Sequence, residues 1–544
     1  MFLGNFVYDN IRHKENCFFY ILSWKVSEHV LKYKDMEARS NMGKKRKKSL
    51  MSKLLSRKVL LLFQMIVSLV FLMYVYILKI LPIKYYLILV GLLISLILLM
   101  TLFMKSGWKK RKRNGTYARL IISKMTCLLL SVLLVFLTVM VKRGNSFIGN
   151  ITNSFIQTRV ISVYVSKDSD YQKLKDLKDV EIGIQTKKDN STMMPALSKI
   201  EDAMGSELKT KDFNDYATLG DAINDSEIEA IVVDQAYMAL LETNHEGIDE
   251  RLRSVYQIEI KEKIKTVTEE TDITQGPFIV YVTGIDTYGT VSTISRTDVN
   301  LLVCVNPQNK QILMISIPRD TYVKLHSKGK KDKLTHSAMY GIDETITTIE
   351  DFLDLNINYY AKTNFSGITN IIDALGGVTI DSPYEFNTMH GNYHIKKGIN
   401  EMDGDKALCF VRERYALPSG DFDRGRNQQR LLQAMIKKAL SPKIVTNYNN
   451  ILSAIEGCFE TNMSGDDIKS FINKQLDEGG SWEMFNAQVS GEMKKTTRTF
   501  SMPGKNVSII EADKKQLNKI IKLIDKIGKN EKIKKKDVKG LDGV

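Results

Sequence analysis

The sequence predicts an α/β protein held at a membrane: a larger α/β domain preceded by a small α/β accessory lobe and three membrane-spanning helices. Three observations carry this reading. Long apolar runs crowd the amino-terminal third, strand-like and helix-like segments alternate over residues 160–242, and three strand-like segments followed by helical patterns begin at Phe278.

The apolar runs are Val59–Leu78, Tyr85–Met104 and Met125–Val141. About twenty apolar residues cross a bilayer as a helix, so 59–141 is predicted to hold three transmembrane helices. No small-residue cleavage site follows them, which argues against a removed signal peptide. Lys44–Lys58 hold eight Lys/Arg and Lys105–Arg119 hold seven, whereas the connection Lys79–Lys84 holds two. The positive-inside rule then makes residues 1–58 a cytoplasmic basic segment and places everything after about residue 145 outside. Met42, directly before "GKKRKK", is an alternative start.

The first 150 residues carry a net charge of +21 and the remaining 394 a net −5, so the overall +16 belongs to the membrane flanks. The external part is not globally basic, which argues against nucleic acid as partner. Outside the cell there is also no ready supply of ATP. Of the five cysteines, Cys17 and Cys127 fall in the cytoplasmic and membrane segments. Cys304 and Cys409 lie in apolar, strand-like runs, and with Cys458 they read as small buried hydrophobes, not a disulfide framework.

Residues 155–250 form the predicted accessory lobe: "VISVYVS" and "VEIGIQ" are strand-like, "ATLGDAIND" is helix-like, and "IEAIVVDQAYMALLE" joins a strand to a helix. The wording resembles one lobe of a periplasmic solute-binding protein. A single lobe lacks the cleft formed by two, which favours a docking role. Residues 251–277, charged and turn-rich, are predicted to be a linker, 278–527 the main domain, and lysine-rich 528–544 a disordered tail.

That domain opens with "FIVYVTGID" (278–286), "TDVNLLVCV" (297–305) and "QILMISIPRD" (311–320). The turn "NPQN" between the last two predicts an antiparallel hairpin pairing position 298 with about 317, so that Asp298 and Arg319 share one end of the sheet. If the first segment also pairs antiparallel with the second, Asp286 reaches the same end. Two adjacent carboxylates repel, and a divalent cation such as Mg²⁺ relieves this while leaving positions for water and phosphate oxygens. The alternative is that Asp286 and Asp298 cap turns and pair with Arg296 and Arg319.

"FVRERYALPSGDFDRGRNQQR" (410–430) supplies five arginines. Extended backbone through "FVRER" would set Arg412 and Arg414 on one face, unless a short helix starts at "DGDKAL". After "PSGD" a helix is predicted, with Arg424, Gln428, Leu431 and Met435 on one stripe. Guanidinium forks match phosphate oxygens in pairs, so arginines at a helix amino terminus beside a metal pair suit a pyrophosphate.

At these residues the chain resembles the LytR-CpsA-Psr (LCP) family of cell-envelope proteins. The resemblance rests on "GID" (284–286), "SRTD" (295–298), "SIPRDTYV" (316–323), "KLTHSAMYG" (333–341), "IIDALGGVTID" (371–381), "MDGDKALCFVRER" (402–414) and "DFDRGRNQQR" (421–430). It implies an LCP-like mixed sheet flanked by helices. The implied activity is a phosphotransferase moving a glycopolymer, such as teichoic acid, from a polyprenyl-pyrophosphate carrier to peptidoglycan at the plasma membrane of a Gram-positive-type bacterium. Membrane lipid, the carrier-linked glycan and peptidoglycan are the implied partners.

Carried over by motif, Asp286 and Asp298 hold Mg²⁺, and Asp286, Arg319 and Arg412 are catalytic. Arg296, Lys333, Arg414, Asp421, Arg424 and Gln428 bind substrate. Asp423, Gly425–Asn427 and "MYGI" depart from the family's usual residues. Two rival readings stay open: a membrane-bound regulator or attenuator, and a non-catalytic binder of lipid pyrophosphate. Residues 1–58 show no helix-turn-helix, no Walker loop occurs, and His390 and His394 lack a third metal ligand nearby. The helix "GITNIIDALGG" and the stripe from Leu431 are candidate walls of a lipid channel, but their apolar residues are first of all the expected core.

Overall fold

The computed structural model describes residues 54–541, apart from 80, 115–116, 153–155, 188–189, 243, 246, 265–270, 286–289, 440–453 and 455. Most of the basic amino-terminal segment, Cys17, Met42 and the proposed metal ligand Asp286 therefore lie outside the described residues. Three helices are long and apolar enough to cross a membrane: Arg57–Ile77, Ile83–Lys109 and Ala118–Ser146. The chain divides into two compact units, Met1–Ile66 with Leu96–Ser131, and Val67–Ser95 with Val132–Val544. In the first, Leu60, Met100, Met104 and Cys127 pack together. In the second, Val67, Phe71 and Val75 pack with Leu93 and Leu134.

The accessory lobe is a five-stranded sheet of β1 (Ile156–Ser166), β2 (Glu181–Ile184), β3 (Lys209–Asp212), β4 (Ala230–Asp234) and β5 (Leu252–Lys263), in the order β3-β2-β4-β1-β5. β5 corrects the linker expectation. It pairs antiparallel with β1 along its length, and its alternate residues Ile258 and Ile260 pack on the lobe core. One-sided alternation in "LRSVYQIEIKEK" makes a half-buried strand out of a charged segment.

The main domain carries β6 (Phe278–Ile285), β7 (Thr297–Asn306), β8 (Gln311–Ser316), a ribbon of β9 (Tyr322–Lys324) and β10 (Lys331–Lys333), and β11 (Tyr359–Thr363). Two further two-stranded pairs are β12 (Val378–Ser382) with β15 (Gly398–Met402), and β13 (Phe386–Asn387) with β14 (His394–Ile395). β16 (Phe459–Thr461), β17 (Glu483–Gln488) and the ribbon β18 (Gly491–Arg498)–β19 (Pro503–Ala512) follow. The central sheet runs β16-β11-β6-β7-β8-β17. It is mixed: β6, β7 and β8 are successively antiparallel, while β11 joins β6 and β17 joins β8 in parallel.

Alternation along these strands builds a core on each face. Leu302, Cys304, Leu313 and Ile315 meet the helices Ile342–Leu353 and Lys514–Gly528. Val303, Val305, Ile312 and Met314 meet Leu432 and Phe471 from the helices Asp421–Ala439 and Gly465–Glu478.

The lobe docks on the main domain. Thr158 of β1 exchanges backbone hydrogen bonds with the loop before β7, donating to Ser292 O (2.9 Å) and accepting from Ile294 N (2.9 Å). Beside it Arg159, 5 % exposed, donates to Asp234 (2.8 Å), Glu262 (2.9 Å) and Met339 O (3.1 Å).

The disordered-tail expectation is overturned for the described residues up to 541. Ile533 and Leu541 are buried in the main core, Gln311 bonds both backbone groups of Ile533, and Leu541 O accepts from Gln488 N at 2.6 Å. Two well-spaced apolar side chains anchor a segment whose lysines stay in water. Ile533→Ala is expected to cost about 2–5 kcal/mol, read as a lower unfolding midpoint of the full chain by thermal denaturation.

Candidate functional site

The site forms where β6, β7 and β8 end. β7 and β8 pair with Leu301 opposite Ser316 and Asn306 opposite Gln311. This register lies two residues later than the expected 298–317 pairing, because the turn extends to Lys310, which takes a left-handed conformation (φ 51°) while Asn306 Oδ1 accepts from Asn309 N (3.0 Å). The longer turn brings Arg319 level with Asp298, and Arg319 Nη1 donates to Asp298 Oδ1 at 2.7 Å. Just beyond β8, Arg319 O accepts from Thr335 N (2.9 Å) and Asp320 pairs with Lys333 (3.0 Å). A bulge after Gly284 sets Ile285 opposite Thr297 at the same sheet end.

"FVRER" is not extended. Asp403 caps a helix, Gly404–Arg412, by accepting from Lys406 N, and Cys409 is a buried helical residue. The local capping signal and the buried face of Ala407, Leu408, Phe410 and Val411 outweigh the strand pattern. Arg412 therefore ends a helix, with its guanidinium 4.3 Å from the Phe365 ring centroid, a cation–π platform. The chain then turns about Glu413. Its Oε1 accepts from the backbone N of Arg414 (3.0 Å), Tyr415 (2.9 Å) and Ala416 (3.0 Å), and its Oε2 from Met389 N (2.5 Å). Arg414 lies over the Tyr415 ring at 4.5 Å.

The helix Asp421–Ala439 presents two working faces. On one, Gly425 lets the backbone approach β8 and β17, where a Cβ would stand 2.4 Å from Ser316 Oγ. Gln429 Nε2 donates to Met314 O (3.1 Å) and Ala487 O (2.7 Å). Asp423, 1 % exposed, accepts from Ser419 N at 2.7 Å and pairs with Arg426, which reaches Gln488 at 3.2 Å. Asp423, Gly425 and Arg426, three of the residues that depart from the family's usual pattern, thus help to dock this helix on the sheet. On the other face, Arg424, Gln428, Leu431, Leu432 and Met435 line a cavity of about 390 Å³.

The cavity lining includes the charged groups of Asp298, Arg319, Arg412, Glu413, Arg414 and Arg424, together with the amide of Gln428. The remainder is chiefly apolar, with Ile368 and Ile371 of the helix Phe365–Ala374, Leu408 and Val411 facing Leu431 and Met435. Burial pushes the Asp298 carboxyl up, but Arg319, Arg424 and Arg296 outweigh it and hold the group below its usual range. Asp421 pairs with Arg424 at 2.5 Å, yet its burial prevails and raises its pKa. Arg424 Nη1 also stands 4.0 Å from Asp298 Oδ2. Arg319 Nε has no hydrogen-bond partner among the described residues.

Six of the ten sequence-derived site residues thus line one cavity. Lys333 and Asp421 stand behind it as partners of Asp320 and Arg424, and Arg296 acts on Asp298 through its charge. Asp286 is not described. His390 lines the cavity, His394 bonds Asn387, and no group of three metal-ligating side chains occurs among the described residues. Sequence reasoning missed Glu413, Phe365 and Tyr415. The acid between two arginines in "RER" was the available signal for Glu413, whereas the aromatic platforms had none.

A mixed sheet thus brings arginines and an aspartate to the lining of a largely apolar cavity, an arrangement with the chemistry to take an anion. The LytR_cpsA_psr family model matches residues 242–523, and the chain belongs to that family. A polyisoprenyl-teichoic acid–peptidoglycan teichoic acid transferase TagU of Bacillus cereus is 36 % identical over 226 residues, 41 % of this chain and 73 % of the relative. A TagU of Enterococcus faecalis is 36 % identical over 196 residues, 36 % of this chain and 64 % of the relative. The crystal structure of B. subtilis TagV superposes with a TM-score of 0.41 at 27 % identity, covering 48 % of this chain and all of that one.

Glu413 pins both the turn carrying Arg414 and the loop carrying Met389. Burial opposes its ionisation, but four backbone N–H groups outweigh this and lower its pKa. Its contribution is therefore full above the ordinary glutamate range and lost as pH falls through the depressed folded value. Glu413→Gln turns an NH₂ toward a backbone N–H and is expected to cost about 2 kcal/mol at neutral pH. In thermal melts the gap between variant and wild type should close below pH about 4.

Proposed function

We propose that this chain is a membrane-anchored phosphotransferase that moves a glycopolymer from a polyprenyl-pyrophosphate carrier to peptidoglycan. The observation that carries this is a cavity in which four arginines, with Asp298 and the turn-pinning Glu413, meet a largely apolar lining. A phosphorylated prenyl lipid has this same division, and pockets of a few hundred Å³ bury most of a ligand's surface.

A hydroxyl oxygen of the acceptor attacks the phosphorus nearest the glycan. The bond from that phosphorus to the bridging oxygen breaks, polyprenyl phosphate departs with the bonding electron pair, and the hydroxyl proton passes to the departing phosphate or to water. Negative charge spreads over the non-bridging oxygens, where Arg319, Arg412, Arg414 and Arg424 offer preorganised donors. Asp298 holds Arg319 in place and is a poor base, because its carboxyl is kept low. Ile368, Ile371, Leu431 and Met435 receive the first isoprene units.

Mg²⁺ fits the donor set as well. Asp298 uses Oδ1 for Arg319 at 2.7 Å and keeps Oδ2 4.0 Å from Arg424, and one or two carboxylate oxygens plus phosphate oxygens suit this ion. Asp286 and Asp298 are its proposed ligands, and the ion would neutralise charge developing on the pyrophosphate.

An external main domain is supported by contacts with the connection between the first two apolar helices. Lys84 pairs with Asp477 (2.5 Å), Tyr85 OH donates to Leu476 O (3.0 Å), and Asn473 donates to Lys79 O (2.7 Å). That connection is the short one poor in Lys/Arg, which is assigned to the outside.

With purified carrier-linked glycan and peptidoglycan, Arg319→Ala is expected to lower kcat/KM about 10²–10³-fold, the usual effect of removing one transition-state donor. EDTA should suppress turnover and Mg²⁺ restore it. Unchanged turnover by folded Arg319→Ala would remove the assignment.

A further inference from the structure

Outside the cavity, the β9–β10 ribbon pairs Lys331 with Lys324, Asp332 with Val323, and Lys333 with Tyr322. Cross-strand partners share a face and successive residues alternate, so Lys324, Lys331, Lys333 and Tyr322 stand together on one side. Asp332 and Val323 are buried on the other. The connecting turn adds Lys328 and Lys330.

Three aromatic rings are interleaved with these cations. Lys331 Nζ lies 5.2 Å from the Tyr322 centroid, Lys328 Nζ 4.4 Å from that of Tyr340, and Lys330 Nζ 5.7 Å from that of Phe500. The rings are fixed in place: Phe500 N donates to Lys331 O (3.0 Å) and Tyr322 OH to Arg498 O (3.0 Å).

Like charges facing each other across a strand pair are destabilising. Among the described residues, no carboxylate lies within ion-pair distance of Lys324, Lys328, Lys330 or Lys331; Glu511, whose carboxyl feels Lys331, is taken by Lys494 at 2.6 Å. Lysines along an edge strand also block aggregation, but that role requires neither fixed rings nor continuity with a site. Here the row continues to Lys333, which pairs with Asp320, the backbone neighbour of Arg319.

We propose that this face binds the anionic part of the transferred chain, a phosphodiester-linked polyol or sugar polymer leading away from the pyrophosphate past Lys333; this deepens the proposed transfer reaction and rests on it. Lys324, Lys330 and Lys331, which have no carboxylate partner among the described residues, act as point charges for phosphates of the chain. The rings offer apolar faces to the intervening C–H groups. The strand directions place this face beside the cavity. β6 starts at Phe278, packed on Phe471 of the helix that bonds the apolar-helix connection, and ends at the cavity. β8, which leads to the ribbon, runs the same way, so the ribbon leaves the sheet at the end where the cavity lies.

The test uses the full-length protein in detergent micelles, carrier-free poly(glycerol phosphate), and a neutral dextran as control. Wild type is expected to bind the phosphate polymer and not the dextran. Replacing three lysines together (Lys324→Gln, Lys330→Gln, Lys331→Gln) should lower affinity tenfold or more and reduce the slope of log K against log salt by about two, as for three phosphates on a flexible strand. Arginine at the same three positions should retain binding. In transfer assays the glutamine variant should raise KM for a donor bearing phosphate repeats and leave KM unchanged for a donor cut before the first repeat. Polymer binding unaffected by the glutamines, KM raised equally for both donors, or a loss confined to vesicles of anionic phospholipid would overturn the proposal. Binding needs no turnover, so a wild type that transfers neither donor counts against the reaction while the binding arm still decides this site.

Discussion

Arg319 and Arg424 share the carboxylate of Asp298, and the geometry of the site depends on that sharing. Two guanidinium groups brought together in a largely desolvated place repel each other, and a carboxylate between them reverses the sign of the interaction. Asp298 holds Arg319 through one oxygen at 2.7 Å and leaves the other at 4.0 Å from Arg424. Both arginines keep donors for an anion. The pair is anchored on two elements of different origin, a strand end and the first turn of a helix, so docking that helix on the sheet also assembles the site.

That docking explains residues that look incidental in sequence. Gly425 brings the helix against β8 and β17, Gln429 ties it to their carbonyls, and the buried Asp423–Arg426 pair sets its first turn. The same helix turns Leu431 and Met435 into the cavity, so one rigid element carries both Arg424 with Gln428 and part of the apolar wall. On the other side, the lobe holds residues 292–294 by strand-like pairing, and Lys362 donates to Thr293 O at 3.1 Å from within the sheet. The loop leading to Arg296 and Asp298 is thereby held from both sides, which gives the accessory lobe a structural role without any solute.

Much of this was legible from residue patterns. Apolar length gave the membrane helices, alternation and the "NPQN" turn gave the β7–β8 hairpin, and heptad-like spacing gave the face of Arg424, Gln428, Leu431 and Met435. Hidden features depended on long-range packing. The turn length that fixes register was settled by the Asn306 side chain, and the helix ending at Arg412 by a cap and a buried face that a five-residue strand pattern cannot outweigh. β5 and the carboxy-terminal segment were hidden because many lysines masked a few alternating or well-spaced apolar residues. The ring under Arg412 comes from Phe365, forty-seven residues away, and no local pattern connects them.

The central claim is that one cavity holds a pyrophosphate among its arginines and a prenyl chain against its apolar lining. Crystals of the protein soaked with a short-chain prenyl pyrophosphate test it most directly. The account predicts density for phosphate among Arg319, Arg412 and Arg424, continuous with a prenyl chain running between Ile371 and Leu431. Density placing the prenyl chain elsewhere, or phosphate bound away from Asp298 and its two arginines, would contradict it.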